Sequence, residues 1–138
     1  MDEQRYIYVS DAVKEEVRRY QSGEKNGTLV AGGNGSGGGL NQFDWPRYLF
    51  VDRDHSVYVS DYYNNRVMKW VEDATEGIVV AGGQHAGDAL TQLHYPNGLF
   101  VDSLGTLYVT DTFNDRVMRW IQGGMKQGTV IVGGKARG

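Results

Sequence analysis

Two aspartate–arginine pairs, Asp61 with Arg66 and Asp111 with Arg116, are the residues whose types and spacing come nearest to chemistry in this chain. A carboxylate five positions ahead of a guanidinium offers a proton acceptor beside a fixed positive charge, as a catalytic pair would. The same spacing also suits a charge-assisted hydrogen bond that fastens a turn. Recurrence decides between the two, because a reaction needs its pair once and a fastener is needed at every copy of the turn. Asp61, Arg66, Asp111 and Arg116 are therefore expected to be structural corner residues.

Three histidines, His55, His85 and His94, are the candidate metal ligands, the last two sharing a stretch with Asp88 and Tyr95. They do not recur from copy to copy, and a metal site needs three or more convergent ligands with an ordered surround. No metal is expected, and these histidines read as loop residues. The glycine runs 32–39 and 82–83 lack the Gly-Lys-Ser/Thr that follows a phosphate-binding loop, so they read as flexible connections. No Gly-x-Ser-x-Gly elbow occurs, and the chain has no cysteine to serve as nucleophile or zinc ligand. The expectation is no catalytic residue, no cofactor and no enzyme.

Aromatic residues remain. Tyr62, Tyr63 and Phe113 follow the corner aspartates, and Trp45 and Tyr95 stand just before Pro46 and Pro96. Loops on a rigid scaffold are where binding surfaces usually lie, with aromatic side chains as anchors. These five are the candidate binding residues. The competing reading, strongest for Trp45 and Tyr95, is packing between neighbouring repeats.

The elements that must position these residues follow from an internal repeat. Val51–Val71 aligns without a gap on Val101–Ile121, with ten of twenty-one positions identical. A worn third copy opens the chain, where Tyr8, Val9, Ser10, Asp11 and Val17 precede their counterparts by fifty residues. Period-two alternation marks strands at 6–12, 57–62 and 107–112, returning as 17–21, 66–71 and 116–122 after a tight corner. Third strands at 28–31, 78–81 and 129–132 each end in Gly-Gly or Val-Gly-Gly, and fourth strands precede the hairpin at 48–52 and 98–102. The total is eleven strands in an all-β chain, with twenty glycines and two prolines in keeping.

Pro-x-Gly-Leu-Phe-Val-Asp at 96–102, Leu-Tyr-Val-Thr-Asp at 107–111 and Asn-x-Arg-Val at 114–117, the last repeated at 64–67, resemble the NHL-repeat family of β-propellers. The resemblance implies about two and three-quarter four-stranded blades in a single array. Residues 6–33 would be a partial blade, 47–83 and 97–134 full blades, and 34–46 and 84–96 crossovers between them. The first copy departs from the pattern, since Lys14-Glu15-Glu16 replaces the Asn-x-Arg corner. In function the resemblance implies a non-catalytic interaction or assembly scaffold. Its rivals are an RNA-binding propeller and a metal-dependent lyase or lactonase.

Composition narrows the partners. A net charge of −3 supplies no field for phosphate backbones, and strand alternation scatters Arg47, Arg53, Lys69 and Arg119, so nucleic acid is disfavoured. No run reaches the ~18–20 apolar residues of a membrane helix, and residues 1–20 lack a signal-peptide core. Asn26 and Asn34 open glycosylation sequons, which would matter only in a secreted protein and otherwise read as turn chemistry. They tilt an otherwise open location toward the extracellular side. Closed propellers have ~4–8 blades, so the expected partners are further blades, from a longer chain or from other copies in a ring or open array.

Overall fold

Two residue patterns set the architecture: valines alternating with polar residues along one strand, and a Met/Trp pair along the next. The computed structural model describes residues 5–123 and 127–134, and within them the chain is all-β. Eleven strands form three antiparallel sheets. The first holds β1 (Ile7–Asp11), β2 (Glu16–Tyr20) and β3 (Thr28–Gly32). The second holds β4 (Pro46–Val51), β5 (Val57–Asp61), β6 (Arg66–Trp70) and β7 (Ile78–Gly82). The third holds β8 (Pro96–Val101), β9 (Leu107–Asp111), β10 (Arg116–Trp120) and β11 (Thr129–Gly133). Strands within each sheet lie in chain order, so each is a simple meander.

β4 and β8 begin two residues earlier than the alternation suggests. Proline is tolerated at the first position of a strand, where it need not donate to the ladder. A bulge then shifts the register between Pro46 and Leu49, and between Pro96 and Leu99. In the turns leading to β5 and β9, Asp52 Oδ1 accepts the N–H groups of Asp54 and Ser56, and Asp102 Oδ1 those of Leu104 and Thr106. One carboxylate thus replaces the ladder where the chain reverses.

The sheets pack face to face through equivalent residues. Val57 and Val59 on β5 pair across with Trp70 and Met68 on β6, giving one apolar face. That face meets Val17 and Ala31 of the first sheet. The opposite face of the second sheet, with Tyr58, Val67 and Ala81, meets Leu107, Val109, Met118 and Trp120 of the third. Burial follows: β5 is buried along its whole length, whereas Tyr108 and Thr110 on β9 are not.

Phe43 and Leu93 complete the two cores from within the connections between sheets, and both are fully buried. The tryptophans need glycine opposite them, because a Cβ on Gly77 would lie 2.6 Å from Trp70 Cε3 and one on Gly128 2.8 Å from Trp120 Cε3. The rings lie against bare backbone, a contact no other residue permits without displacement. Replacing Trp120 by alanine removes the largest buried side chain of the second core and should cost about 3–5 kcal/mol. Chemical denaturation checks it, and an unchanged midpoint would contradict this packing.

Candidate functional site

The corner of the second sheet is built on the side chain of Asp61, which is fully buried. Its Oδ2 accepts Arg66 Nε at 2.7 Å and Asn64 Nδ2 at 2.9 Å, and its Oδ1 accepts the Asp44 N–H at 2.7 Å. Burial pushes this carboxyl above the ordinary aspartate value, and these donors pull it back. The rest of the guanidinium turns away from the corner. Arg66 Nη1 donates to Gly38 O at 3.1 Å, and Nη2 to Gly39 O and Gln42 O at 2.9 and 3.0 Å.

The third sheet repeats this set with different loop residues. Arg116 Nε reaches Asp111 Oδ2 at 2.7 Å, while its Nη atoms hold the carbonyls of Asp88, Ala89 and Gln92. Asn64 and Asn114 add Gly37 O and Gly87 O to the held carbonyls, each at 2.8 Å. The arginines therefore fasten the corner and, beyond that, the whole connection arriving from the preceding sheet. The glycine run read as flexible is corrected: residues 37–42 are tied through backbone carbonyls. Gln42 helps from inside the loop, accepting the Gly39 N–H and donating to Asn34 O, and Gln92 does the same with Ala89 and Gln84.

Fastening the connection places the aromatic residues. The corner backbone is zipped to the segment before β4 and β8, with Tyr62 N–H on Trp45 O, Tyr63 N–H on Asp44 O and Phe113 N–H on His94 O. Trp45 and Tyr95 have φ of 72° and 60°, left-handed conformations for bulky residues that precede proline. Such a conformation costs on the order of 1–3 kcal/mol. It is held by an acceptor on the preceding sheet: Trp45 N–H donates to Glu15 Oε1 at 2.7 Å, and Tyr95 N–H to Asn65 Oδ1 at 2.9 Å. Glu15 and Asn65 are the left-handed residues of their own corners, with φ of 57° and 53°. Burial also pushes the Glu15 carboxyl above its usual value.

All five candidate binding residues meet in one ridge along this edge of the second and third sheets. Ring centroids step from Trp45 to Tyr63 (6.2 Å), Tyr63 to Tyr95 (5.8 Å) and Tyr95 to Phe113 (6.1 Å). Tyr62 stacks on Tyr95 at 4.7 Å with planes 10° apart, and Arg47 lies over Tyr62 at 4.9 Å. Packing between repeats and exposure hold together here, since Trp45, Tyr63 and Phe113 remain 38%, 49% and 59% exposed. His94, read from sequence as a loop residue, belongs to the ridge through its contact with Phe113 at 4.1 Å. Beside the ridge an open concavity of about 1140 Å³ is lined by Tyr62, Tyr95, Phe113, Asp88, Asp115 and Val130 among others.

The remaining histidines are elsewhere. His55 approaches Glu72 at 3.4 Å, and His85 is a left-handed loop residue. Among the described residues no three histidine, aspartate or glutamate side chains are grouped to hold a metal ion. Of the two sequons, Asn34 uses its amide nitrogen to donate to Gly32 O and Asn41 O, which is turn chemistry, while Asn26 is exposed.

The first corner has no such arginine. Glu16 stands in its place and pairs with Arg18 at 2.7 Å, and Asp11 Oδ1 organises the turn through the N–H groups of Val13 and Lys14. Hydrogen exchange over residues 11–17 should therefore be faster than over 61–67 and 111–117, and equal protection of all three would contradict the account. Replacing Arg116 by alanine strands a buried carboxylate and frees three loop carbonyls. It should destabilise the protein by about 3–5 kcal/mol, measured by denaturant titration.

No protein-family model matches the sequence, and no curated protein does. Among solved structures the chain is similar to the crystal structure of an auxiliary nutrient binding protein from Bacteroides thetaiotaomicron, with a TM-score of 0.64 at 17% identity. The match covers 83% of this chain and 34% of that one, so the chain spans about a third of the length of that structure. At this identity the likeness is one of fold alone.

Proposed function

We propose that this chain is a segment of an NHL-type β-propeller that acts as a non-catalytic interaction module, with the aromatic ridge as its binding surface. Support for the propeller comes from the meander order of each sheet, the fifty-residue period and the face-to-face packing of successive sheets through equivalent positions. The observation that carries the interaction role is the convergence of Trp45, Tyr62, Tyr63, Tyr95 and Phe113 from two repeats onto one partly exposed edge. Rigid aromatic side chains present large contact area at small entropic cost. The strained backbone at Trp45 and Tyr95 supports the same reading, since such strain concentrates where side chains must be held in a set direction.

Peptide, glycan and single-stranded RNA arrays probed with the wild-type protein and with a Tyr63→Ala/Phe113→Ala double variant test the proposal. Both residues are exposed, so the variant should melt within a few degrees of the wild type. At least one peptide or glycan class should bind the wild type and lose tenfold or more in the variant. No ligand separating the two proteins would overturn the reading. So would binding confined to RNA with a steep salt slope, the mark of phosphate contacts.

A further inference from the structure

Asparagine followed by glycine occurs three times, at Asn26-Gly27, Asn34-Gly35 and Asn97-Gly98. The dipeptide carries a reaction of its own, in which the glycine peptide nitrogen attacks the asparagine Cγ, because glycine has no side chain to obstruct the approach. An intramolecular attack runs only where the two atoms reach near-attack geometry, so a side chain tied elsewhere is protected. The fold therefore decides which of the three reacts.

Two of them are tied. Asn34 Nδ2 donates to Gly32 O at 3.2 Å and to Asn41 O at 3.0 Å, and its backbone carbonyl accepts Gln42 Nε2 at 3.1 Å. Asn97 lies within β8, donates from Nδ2 to Thr112 Oγ1 at 2.9 Å, and has its Oδ1 closed off from solvent. A held amide keeps Cγ from turning onto the next nitrogen.

Asn26 differs in each respect. It is exposed in the turn between β2 and β3, and among the described residues no group bonds its side-chain amide. Its backbone carbonyl is held by Arg18 Nη1 at 3.2 Å, which steadies the turn and leaves the amide able to rotate. The attacking nitrogen is available too. Gly77 and Gly128, which hold the same place in the later repeats, donate their N–H groups to Leu40 O and Leu90 O, whereas no described carbonyl accepts the Gly27 N–H. The glycine is itself required by the fold: its φ is 65°, and a Cβ there would lie 2.7 Å from Arg19 O and 2.8 Å from the Tyr20 ring. The turn cannot shed the reactive dipeptide by changing its second residue.

We propose that Asn26 is a self-modification site, at which the side-chain amide is lost and an aspartyl or isoaspartyl residue takes its place. Gly27 N gives up its proton and bonds to Asn26 Cγ, the Cγ–Nδ2 bond breaks, and ammonia leaves carrying that proton. Water then opens the cyclic imide at one carbonyl or the other, giving aspartate or a main chain that runs through the former side chain. Nothing is oxidised or reduced, and water is the sole co-reactant. The surroundings suit the product. The adjacent hollow is lined by Lys14, Arg18 and Lys25 with Asp11 and Glu16, and Glu16 is paired with Arg18, so a new carboxylate joins a group in which cations predominate.

Proteolytic peptides from the folded protein, held in mildly alkaline buffer that favours loss of the glycine N–H proton, are read by mass spectrometry over time. Asn26 should convert about tenfold or more faster than Asn34 and Asn97. In heavy-oxygen water each product should gain one solvent oxygen, and isoaspartate should accompany aspartate. In denaturant the three dipeptides are released from the fold and should convert at comparable rates. Asn26→Gln, whose longer side chain closes a larger ring slowly, should stay intact at that position. Equal rates in the folded protein, faster conversion at Asn34 or Asn97, or an unchanged Asn26 would overturn the proposal. So would the same preference for Asn26 in denaturant, since local sequence and not the fold would then select it.

Discussion

The structure depends on what one guanidinium can reach. Arg66 and Arg116 each meet a buried carboxylate with Nε and three backbone carbonyls with the two terminal nitrogens, a spread that a lysine ammonium on its single point of charge cannot match. Burying an ion pair is by itself a doubtful source of stability, because desolvation of both charges offsets their attraction. Here the arginine does something the attraction alone does not. The connection between sheets has almost no regular structure, yet its carbonyls are partly withdrawn from water and must find donors. The guanidinium supplies them, and the aspartate keeps the guanidinium in place.

Once the connection is held, one apolar residue within it can serve as core. Phe43 and Leu93 are fully buried, wedged between successive sheets. The corner, the connection and the inter-sheet core are therefore one unit rather than three. The next step follows the backbone out of the connection: two residues beyond Phe43 or Leu93 comes Trp45 or Tyr95, its N–H accepted by the left-handed corner residue of the sheet before. The unit thus reaches across two sheets, and the ridge is its outer margin.

The sequence announced some of this and concealed the rest, for reasons that differ by residue. Strand alternation and the repeated Asp-x4-Arg spacing were readable because each is a local pattern with one physical meaning. Phe43 and Leu93 were not, since irregular connections have no periodicity to mark burial, and Leu40 and Leu90, three residues earlier in the same connections, stay exposed; their shared place in the repeat hinted at a common role. The bond from Glu15 to Trp45 and from Asn65 to Tyr95 was hidden by chemistry, because a carboxylate and an amide look unlike in sequence while offering the same acceptor oxygen. Glycine runs misled most directly. They signal a permissive backbone, and whether that backbone moves is set by donors elsewhere in the chain. Those donors, Arg66 and Asn64, lie more than twenty residues away from it.

Glycine in these connections has a further reason that flexibility does not supply. A Cβ on Gly37 would collide with the side-chain amide of Gln42, and one on Gly87 with that of Gln92. The glutamine folds back into the space that a side chain would fill and bonds both limbs of its own loop. The absence of a side chain at one position thus lets a polar side chain at another act as the loop's internal strut. Because Gln42 O and Gln92 O are also among the carbonyls that Arg66 and Arg116 hold, the strut and the arginine act on the same residue from opposite sides. A connection built this way is rigid without secondary structure. That rigidity is what a strained aromatic residue three positions on requires, since left-handed backbone before proline persists only where its surroundings leave it no alternative.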